Sequence, residues 1–310
     1  MSKYYIQGEK RRTMLSFEKI NADNMMQTAK FYNYKISRTS DYTVGGIYMW
    51  REFYDTSFAI YEDMIFYKVK FLDRTSFTYP IGSGSFTKAI EALKEYCKSN
   101  DLPLWFCTVP EEVVPILTEE FNGTIPGNPS RDWADYLYRA EDLAQMAGRR
   151  YSGQRNHINK FLRLYPNYQY HEMSSENLGR VIDFLKDYQT KFGKEASLAQ
   201  EEFKRALEIM PLIDKFQLPG GFIEVDGEII AISVGEIIKD TLYSHIEKAN
   251  RNYEGAYQMI VREFARHNVT EEVKYINREE DVGDEGLRKS KLSYHPTKLL
   301  DKYCVSVPYN

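Results

Sequence analysis

The same order of predicted elements occurs twice along the sequence, and this repetition limits the fold more than any other feature. In the first half, an apolar hairpin with a turn at Glu62-Asp63 precedes a short strand, a Gly-Ser loop at 82–85, a helix and a strand. The second half repeats this order from a hairpin with an Asp226-Gly227 turn, a dipeptide typical of tight hairpins. Corresponding positions lie 164 to 171 residues apart. A chance match between common patterns is the alternative.

This repetition predicts an α/β (α+β) fold with two similar lobes packed on each other. We expect an N-terminal lobe of residues 1–145 and a C-terminal lobe of residues 146–310, the latter carrying the candidate site. Each lobe should contain a mixed, mostly antiparallel sheet flanked by helices, because the antiparallel hairpins are followed by a helical crossover.

The composition of the chain limits the classes of protein to which it can belong. A hydrophobic fraction of 43% and a charged fraction of 28% are typical of a globular protein. The net charge of −4 gives no overall attraction to nucleic acid, so any RNA contact needs a local basic patch. No window resembles the roughly 20 apolar residues of a membrane span or the core of a signal peptide, so we expect a cytoplasmic protein. The three cysteines have no metal-ligand or disulfide spacing, and no metal site is expected.

The segment 241–256 reads as a strand, a loop and the start of a helix. Strict alternation would place Tyr243, His245 and Glu247 on one face of the strand. Free amide groups at the helix start suit a phosphate, so we assign donor-phosphate binding to Arg251, Gly255 and Ala256, with Asn250 in a positioning role. Either His245 or Glu247 could act as general base for an acceptor amine or hydroxyl; an ordinary ion pair or strand hydrogen bond is the alternative interpretation.

Residues 148–165 contain five basic side chains and no acidic one. This pattern suggests a helix that binds the phosphates of tRNA or of a nucleotide, with Arg155 and Lys160 as ligands and Asn159 as a positioning residue. A solvated basic face is the alternative.

The segment 277–295 carries acids before a helix and bases along it. Arg288 and Lys291 are three positions apart and could hold a phosphate or carboxylate on one helix face. Asn277 and Asp281 are candidate positioning residues, and Tyr294 could donate a proton to the leaving group. Complementation of the helix dipole is the alternative explanation of the charges.

Four segments resemble the bacterial family related to the C-terminal domain of phosphatidylglycerol lysyltransferase: Tyr151–Phe161, His245–Asn250, Gly255–Gln258 and Asn277–Pro296. The resemblance covers most of the chain, and its last segment is the most specific. It implies two tandem GNAT-like acyltransferase folds, as in Fem-type aminoacyltransferases, and transfer of an acyl or aminoacyl group with aminoacyl-tRNA as donor.

The coenzyme A loop of GNAT enzymes has Gln or Arg, two residues, Gly, one residue, then Gly or Ala. Arg251 and Ala256 fit this pattern, but Glu254 occupies the glycine position and the glycine follows at 255. An acid there is unfavourable for a pyrophosphate. The chain also shows no counterpart of the membrane-spanning half of the lipid-modifying enzymes, which weakens a lipid as acceptor.

The leading hypothesis is therefore transfer of an acyl or aminoacyl group from aminoacyl-tRNA to an amine or hydroxyl, with tRNA bound by the basic patch and a small-molecule or peptide amine as acceptor. No cofactor is required. One alternative is N-acetylation of a small amine with coenzyme A or an acyl-CoA as donor, and another is a non-catalytic binding module. The hypothesis expects the amides near Gly255 and the side chains of His245, Glu247 and Tyr294 to converge on one pocket. The sequence leaves the oligomeric state open.

Overall fold

The computed structural model describes residues 15–123, 125–193 and 197–307. These residues form two mixed sheets. The first sheet has the strand order β1-β2-β3-β4-β6-β15-β7, with β5 paired to β3. Its strands are β1 (Glu18–Lys19), β2 (Ser57–Tyr61), β3 (Met64–Phe71), β4 (Arg74–Phe77), β5 (Ile81–Gly82), β6 (Leu104–Pro110), β7 (Ile125–Pro126) and β15 (Lys302–Val307).

The second sheet has the order β14-β8-β13-β12-β11-β10-β9. Its strands are β8 (Asp135–Arg139), β9 (Gln169–Glu172), β10 (Gly220–Val225), β11 (Glu228–Ile238), β12 (Thr241–Ala249), β13 (Tyr275–Asn277) and β14 (Lys298–Leu300). The α-helices are α1 (Met26–Ala29), α2 (Val44–Trp50), α3 (Phe86–Ser99), α4 (Val114–Glu120), α5 (Ala140–Gln145), α6 (Ser152–Leu164), α7 (Leu178–Phe192), α8 (Ser197–Ile209), α9 (Ala256–Asn268) and α10 (Glu285–Leu292).

The predicted repeat is present in the strand topology. In the first sheet the antiparallel strands β2, β3 and β4 lead through α3 to β6, which pairs in parallel with β4. In the second sheet β10, β11 and β12 lead through α9 to β13, which pairs in parallel with β12. The remaining pairs are antiparallel. The predicted α/β class, with two mixed and mostly antiparallel sheets flanked by helices, is confirmed.

Each sheet also receives strands from the other half of the chain. After β7 the chain crosses to the second sheet, where β8 pairs with both β13 and β14. After β14 it returns to the first sheet, where β15 pairs with both β6 and β7. The strand pairing therefore does not follow the predicted division at 145/146, because residues 135–145 belong to the second sheet and residues 302–307 to the first.

The apolar residues join the lobes into one body. One buried cluster extends from the first sheet to α7, α8 and one face of the second sheet, where it includes Ile232, Val234 and Ile246. A second cluster lies between the opposite face of that sheet and α5, α6 and α9, and includes Phe161 and Ile260. No described helix is long and apolar enough to cross a membrane.

Candidate functional site

A β-bulge at His245 divides the predicted site between two faces of β12. Ile246 pairs with Val234 and Ser244 pairs with Gly235, so His245 has no partner on β11. An extra residue of this kind interrupts the alternation of side chains. Glu247 consequently lies on the same face as Ser244, whose Oγ donates to Glu247 Oε1 at 2.8 Å. The prediction that His245 and Glu247 share a face is wrong, because sequence alternation cannot reveal a bulge.

Glu247 forms a buried ion pair with Arg278. The guanidinium donates from Nε to Oε1 at 3.0 Å and from Nη2 to Oε2 at 2.5 Å. Burial opposes ionisation of Glu247, but Arg278 holds its pKa below the ordinary value. The Arg278 guanidinium lies 4.6 Å from the ring centre of buried Tyr294, and burial raises the pKa of Tyr294 to about 12. The pairing of β12 with β13 ends at Tyr243 and Asn277. The side chains of Glu247, Arg278 and Tyr294 meet just beyond the end of this pairing.

We expect Glu247→Gln to lower the free energy of unfolding by about 2–3 kcal/mol, since hydrogen bonds to a charged partner are lost and Arg278 stays buried. Urea denaturation at pH 7 measures this change. A stable variant whose transfer activity alone is lost would instead support the general-base role predicted for Glu247.

The loop before α9 packs against α6. Gly255 has φ 85°, and a Cβ atom at this position would lie 2.5 Å from the His157 carbonyl oxygen. Lys160 forms an ion pair with Glu254 at 2.6 Å, so the acid at the phosphate-loop position is bound by protein. Ala256 is buried, Arg251 is exposed, and Asn250 Oδ1 accepts from the Asn252 amide at 3.0 Å. The predicted convergence of Gly255, His245, Glu247 and Tyr294 on one pocket is not observed.

Helix α6 presents part of its basic surface to solvent. Arg155 Nη1 donates to the Met146 carbonyl at 2.6 Å and so supports the preceding turn. Asn159 and Arg163 are exposed. Within the described residues, neither Arg149 nor Arg163 has an acidic partner. Their binding to RNA phosphates stays a prediction.

The charged side chains of Asp281, Arg288 and Lys291 in the 277–295 segment bind protein groups. Asp281 is fully buried and accepts from Arg288 Nε at 2.9 Å and from Arg131 Nη1 at 3.1 Å. Although burial opposes its ionisation, hydrogen bonds from Arg288, Tyr136 and the Gly283 amide lower the pKa of Asp281 to about 2. Buried Lys291 donates to the carbonyl oxygens of Arg278 and Glu280, both at 2.5 Å. Arg288 and Lys291 are therefore engaged by the protein, and the phosphate-binding role predicted for them has no support in these contacts.

A cavity of about 120 Å³ lies in the first lobe, where β4 and β6 diverge after their pairing at Phe77 and Phe106. In the second sheet β12 and β13 diverge in the same way, and the side chains of Glu247 and Arg278 fill the space between them. Residues that follow β13 and begin β15 close the cavity, so both halves of the chain contribute to it. Its aromatic wall contains Trp50, Tyr54, Tyr67, Phe71 and Trp133, and its charged end contains Asp41, Glu279, Glu280 and Lys302.

Lys302 is the centre of the charged end. Its Nζ lies 2.7 Å from Asp135 Oδ1, 3.2 Å from Asp41 Oδ2 and 3.4 Å from Glu280 Oε2. Asn277 Nδ2 donates to Asp135 Oδ2 at 2.9 Å, and the positioning role assigned to Asn277 stays a prediction. Burial raises the pKa of Glu280 to about 8 despite the nearby Lys302.

His245 lies under the start of α2, on the side of β12 that faces the first lobe. Its Nδ1 is 2.7 Å from Glu279 Oε1 and its Nε2 is 3.4 Å from Glu236 Oε2. Burial lowers its pKa, but the two carboxylates outweigh burial and raise it to about 9. His245 is thus protonated at neutral pH. Its ion pairs favour the folded state fully below pH 6.5, and this contribution is lost as the pH rises through about 9.

Glu236 ties the two lobes together beneath this histidine. Its carboxylate accepts the amides of Val44 at 3.0 Å and of Gly45 at 2.9 Å, at the start of α2. A Cβ at position 45 would lie 2.5 Å from the His245 ring, so only glycine permits this approach.

Sequence reasoning missed Asp41, Glu279, Glu280 and Lys302. Glu279 and Glu280 lie within the segment 277–295 and directly precede Asp281, which the sequence suggests as a positioning residue. A lysine at the start of the largely apolar segment Lys302–Val307 was a usable signal for a buried ion pair. Nothing local distinguishes Asp41, because its surroundings are created by residues far away in the chain.

Several solved structures are similar to this chain. A conserved protein of unknown function from Bacteroides thetaiotaomicron has 30% identity and a TM-score of 0.87, covering 95% of this chain and 100% of that one. L-PGS from Bacillus licheniformis has 14% identity and a TM-score of 0.62 over 91% of each chain. FemX has 9% identity and a TM-score of 0.63, covering 95% of this chain and 98% of that one. The last two similarities show the fold alone.

An uncharacterized protein from Mycoplasmoides gallisepticum is 25% identical over 178 residues, which are 56% of this chain. The match spans about half of that curated relative, 56% of its length. The family described as "Phosphatidylglycerol lysyltransferase, C-terminal" matches residues 34–306. Since this match includes both sheets, the chain belongs to the phosphatidylglycerol lysyltransferase C-terminal family.

Proposed function

We propose that this protein is an aminoacyltransferase that moves an aminoacyl group from aminoacyl-tRNA to an amine or hydroxyl acceptor, and that the transfer takes place in the cavity of the first lobe, which residues from both halves of the chain line. The observation that carries the proposal is this cavity, which has aromatic walls and three carboxyl groups at one end. Membership of the family supports the reaction class. The aminoacyl-tRNA donor is inferred from the family resemblance and from the exposed basic side chains of α6.

The cavity has the groups that such a transfer needs. The acceptor attacks the ester carbonyl carbon, the bond from that carbon to the ribose oxygen breaks, and the ribose oxygen leaves as a hydroxyl. Glu280, with its pKa near 8, is suited to take the proton of the acceptor and return it to the leaving oxygen. Cys107 also lines the cavity, but burial raises the pKa of its thiol, so a cysteine nucleophile is disfavoured.

A chain of contacts connects the cavity with the basic helix. Trp133 lines the cavity, and the preceding Asp132 pairs with Arg288 of α10 at 2.6 Å. The Ser293 carbonyl, at the end of α10, accepts from Gln154 of α6 at 2.6 Å. Helix α10 therefore contacts both the basic helix α6 and the segment that carries Trp133.

The acyl-CoA alternative has less support. Glu254 interrupts the phosphate loop of the second lobe, and the Glu247–Arg278 pair occupies the divergence of β12 and β13. Arg251 of this loop is nevertheless exposed. Direct competition between aminoacyl-tRNA and acyl-CoA is therefore the experiment that decides which of them is the donor.

The test incubates purified protein with radiolabelled aminoacyl-tRNAs, or with labelled acetyl-CoA, and a mixture of amines and hydroxyl acceptors. We expect label transfer from aminoacyl-tRNA, and a loss of at least about 100-fold in rate for Glu280→Gln, in the range of a lost general base. Glu91→Gln, which changes an exposed carboxyl on α3, serves as the matched control with unchanged rate.

Transfer from acetyl-CoA but from no aminoacyl-tRNA would favour the N-acetyltransferase alternative. Binding of tRNA without transfer from either donor would favour the non-catalytic binding module.

A further inference from the structure

His245 connects two sides of the first-lobe cavity without lining it. On one side its Nδ1 lies 2.7 Å from Glu279 Oε1, and Glu279 lines the cavity together with Glu280. On the other side its Nε2 lies 3.4 Å from Glu236 Oε2. The imidazole side chain is only 2% exposed and lies outside the cavity lining, so it cannot take a proton from a substrate directly. Its influence on the chemistry has to pass through its two partners.

Glu279 holds a backbone conformation that needs support. Its φ of 56° lies in the left-handed region, which costs energy for a residue with a side chain. Its amide donates to Asn277 Oδ1 at 2.7 Å, and its carboxylate is bound by His245. The next residue is Glu280, the general base of the proposed transfer. The contact with His245 therefore helps to fix the turn from which Glu280 reaches the cavity.

Glu236 gives the same support to the opposite wall. Its carboxylate accepts the amides of Val44 and Gly45, so it fixes the start of α2. Helix α2 then supplies Trp50 to the cavity wall. A Cβ atom at position 45 would lie 2.5 Å from the His245 ring, which shows that the ring packs directly against the start of this helix.

We propose that His245 is a positioning residue of the proposed transfer. Through Glu279 it fixes Glu280. Through Glu236 it fixes the cavity wall at Trp50, and the two contacts together need the positive charge of the ring. The inference rests on the proposed function for the role of Glu280, but the effect of His245 on the cavity can be measured without any transfer. It replaces the general-base role that the strand pattern suggests for His245 with an indirect one.

Only the protonated ring can donate to both carboxylates. A neutral imidazole has one N–H donor and one acceptor nitrogen, whereas an imidazolium donates from both nitrogens. The charged groups around these contacts are Glu236 of β11, Glu279 after β13, Lys35 of the first lobe and Lys291 of α10. Although burial opposes the charge, the two carboxylates raise the pKa of His245 to about 9. Above that pH one of the two contacts loses its donor.

A pH titration of the unmodified protein tests this coupling without a substrate. Trp50 and Trp133 line the cavity, so intrinsic fluorescence reports a change of its walls. We expect the emission maximum to change in a transition centred near pH 9, as the His245 proton is lost. His245→Gln should abolish this transition, whereas Glu280→Gln, which removes the neighbouring titration, should retain it.

Two variants disturb His245 in different ways. His245→Gln removes the charge, and Gly45→Ala keeps every charge but places a methyl group where it displaces the ring. Each should lower kcat for transfer at pH 7.5 at least roughly tenfold and leave KM for aminoacyl-tRNA within about twofold, since a misplaced general base slows the chemistry rather than binding. The matched control is Gly179→Ala on the exposed surface of α7, which has no atom within 4 Å of the added methyl and should change neither constant.

The pH–rate profile separates positioning from support of the fold. Burial makes the largest contribution to the raised pKa of Glu280, and the negative charge of Glu279 adds to it. His245→Gln leaves that charge without its cation, so the rising limb of the profile, which follows Glu280, should move to higher pH by about half a pH unit or more. A variant that only loosens the fold would lower the amount of active protein and leave the limb in place.

Unchanged kcat in both His245→Gln and Gly45→Ala would overturn the inference. So would a lowered kcat with the rising limb in place and no fluorescence transition in the unmodified protein. If the unmodified protein transfers nothing from any donor, the proposed function fails, and the fluorescence transition alone decides whether His245 holds the cavity. If one variant does not fold, the other variant and the titration of the unmodified protein give the result.

Discussion

Lys302→Met is expected to lower the free energy of unfolding by about 3–5 kcal/mol, the usual cost of leaving a buried charge without its partner. Asp135 is fully buried, and Lys302 lies 2.7 Å from its carboxylate. Burial opposes ionisation of Asp135, but Lys302 keeps its pKa below the ordinary value. This pair therefore stabilises the fold above pH 3.8, and its contribution is lost as the pH falls through the lowered pKa. Urea denaturation at pH 7 measures the change.

Two further variants define this effect. Lys298→Met removes an exposed pair with Glu111 and should cost less than about 1 kcal/mol. The double variant Asp135→Asn with Lys302→Met should recover part of the loss, because no buried charge is then left alone. A cost below about 1 kcal/mol for Lys302→Met itself would show that the pair is not a principal link between the lobes.

Separate fragments of residues 1–145 and 146–310 are expected not to fold. The first fragment lacks β15, which joins β6 to β7, and the second lacks β8, which joins β13 to β14. Each sheet would lose an internal strand and expose unpaired backbone groups. We expect insoluble fragments, or fragments without a cooperative thermal transition by circular dichroism. Co-expression should yield a soluble 1:1 complex.

The matched control is a fragment of residues 130–310, which retains β8 and α5. It completes the second sheet, so it should gain solubility and a cooperative transition that residues 146–310 lack. If residues 146–310 fold equally well alone, β8 contributes little to the second lobe and the proposed dependence is refuted.

Local patterns predicted the elements that local interactions determine. The Asp226-Gly227 turn joins β10 and β11 with φ values of 51° and 86°, as a tight hairpin requires. The strand, loop and helix start predicted for residues 241–256 are present as β12, the loop at Gly255 and the first residue of α9. Both depend on neighbouring residues, which is why a single sequence contains enough information to predict them.

The candidate site depends on contacts between distant residues. The bulge at His245 exists only in the pairing of β12 with β11, and the cavity needs Asp41, Glu280 and Lys302 from three separate segments. Nothing in the local sequence around Lys302 shows that the strand it begins pairs within the sheet of the other half of the chain. The predicted site residues were thus placed in the second lobe, whereas the cavity opens in the first.

The exchange of β8 and β15 also bears on how the chain is made. During translation β6 and β7 leave the ribosome long before β15. The N-terminal sheet therefore stays incomplete between β6 and β7 until β15 has been synthesised. Nascent chains would then need protection from aggregation until synthesis is almost finished. A premature stop codon upstream of Lys302 would remove β15 and damage the part of the protein that was translated first.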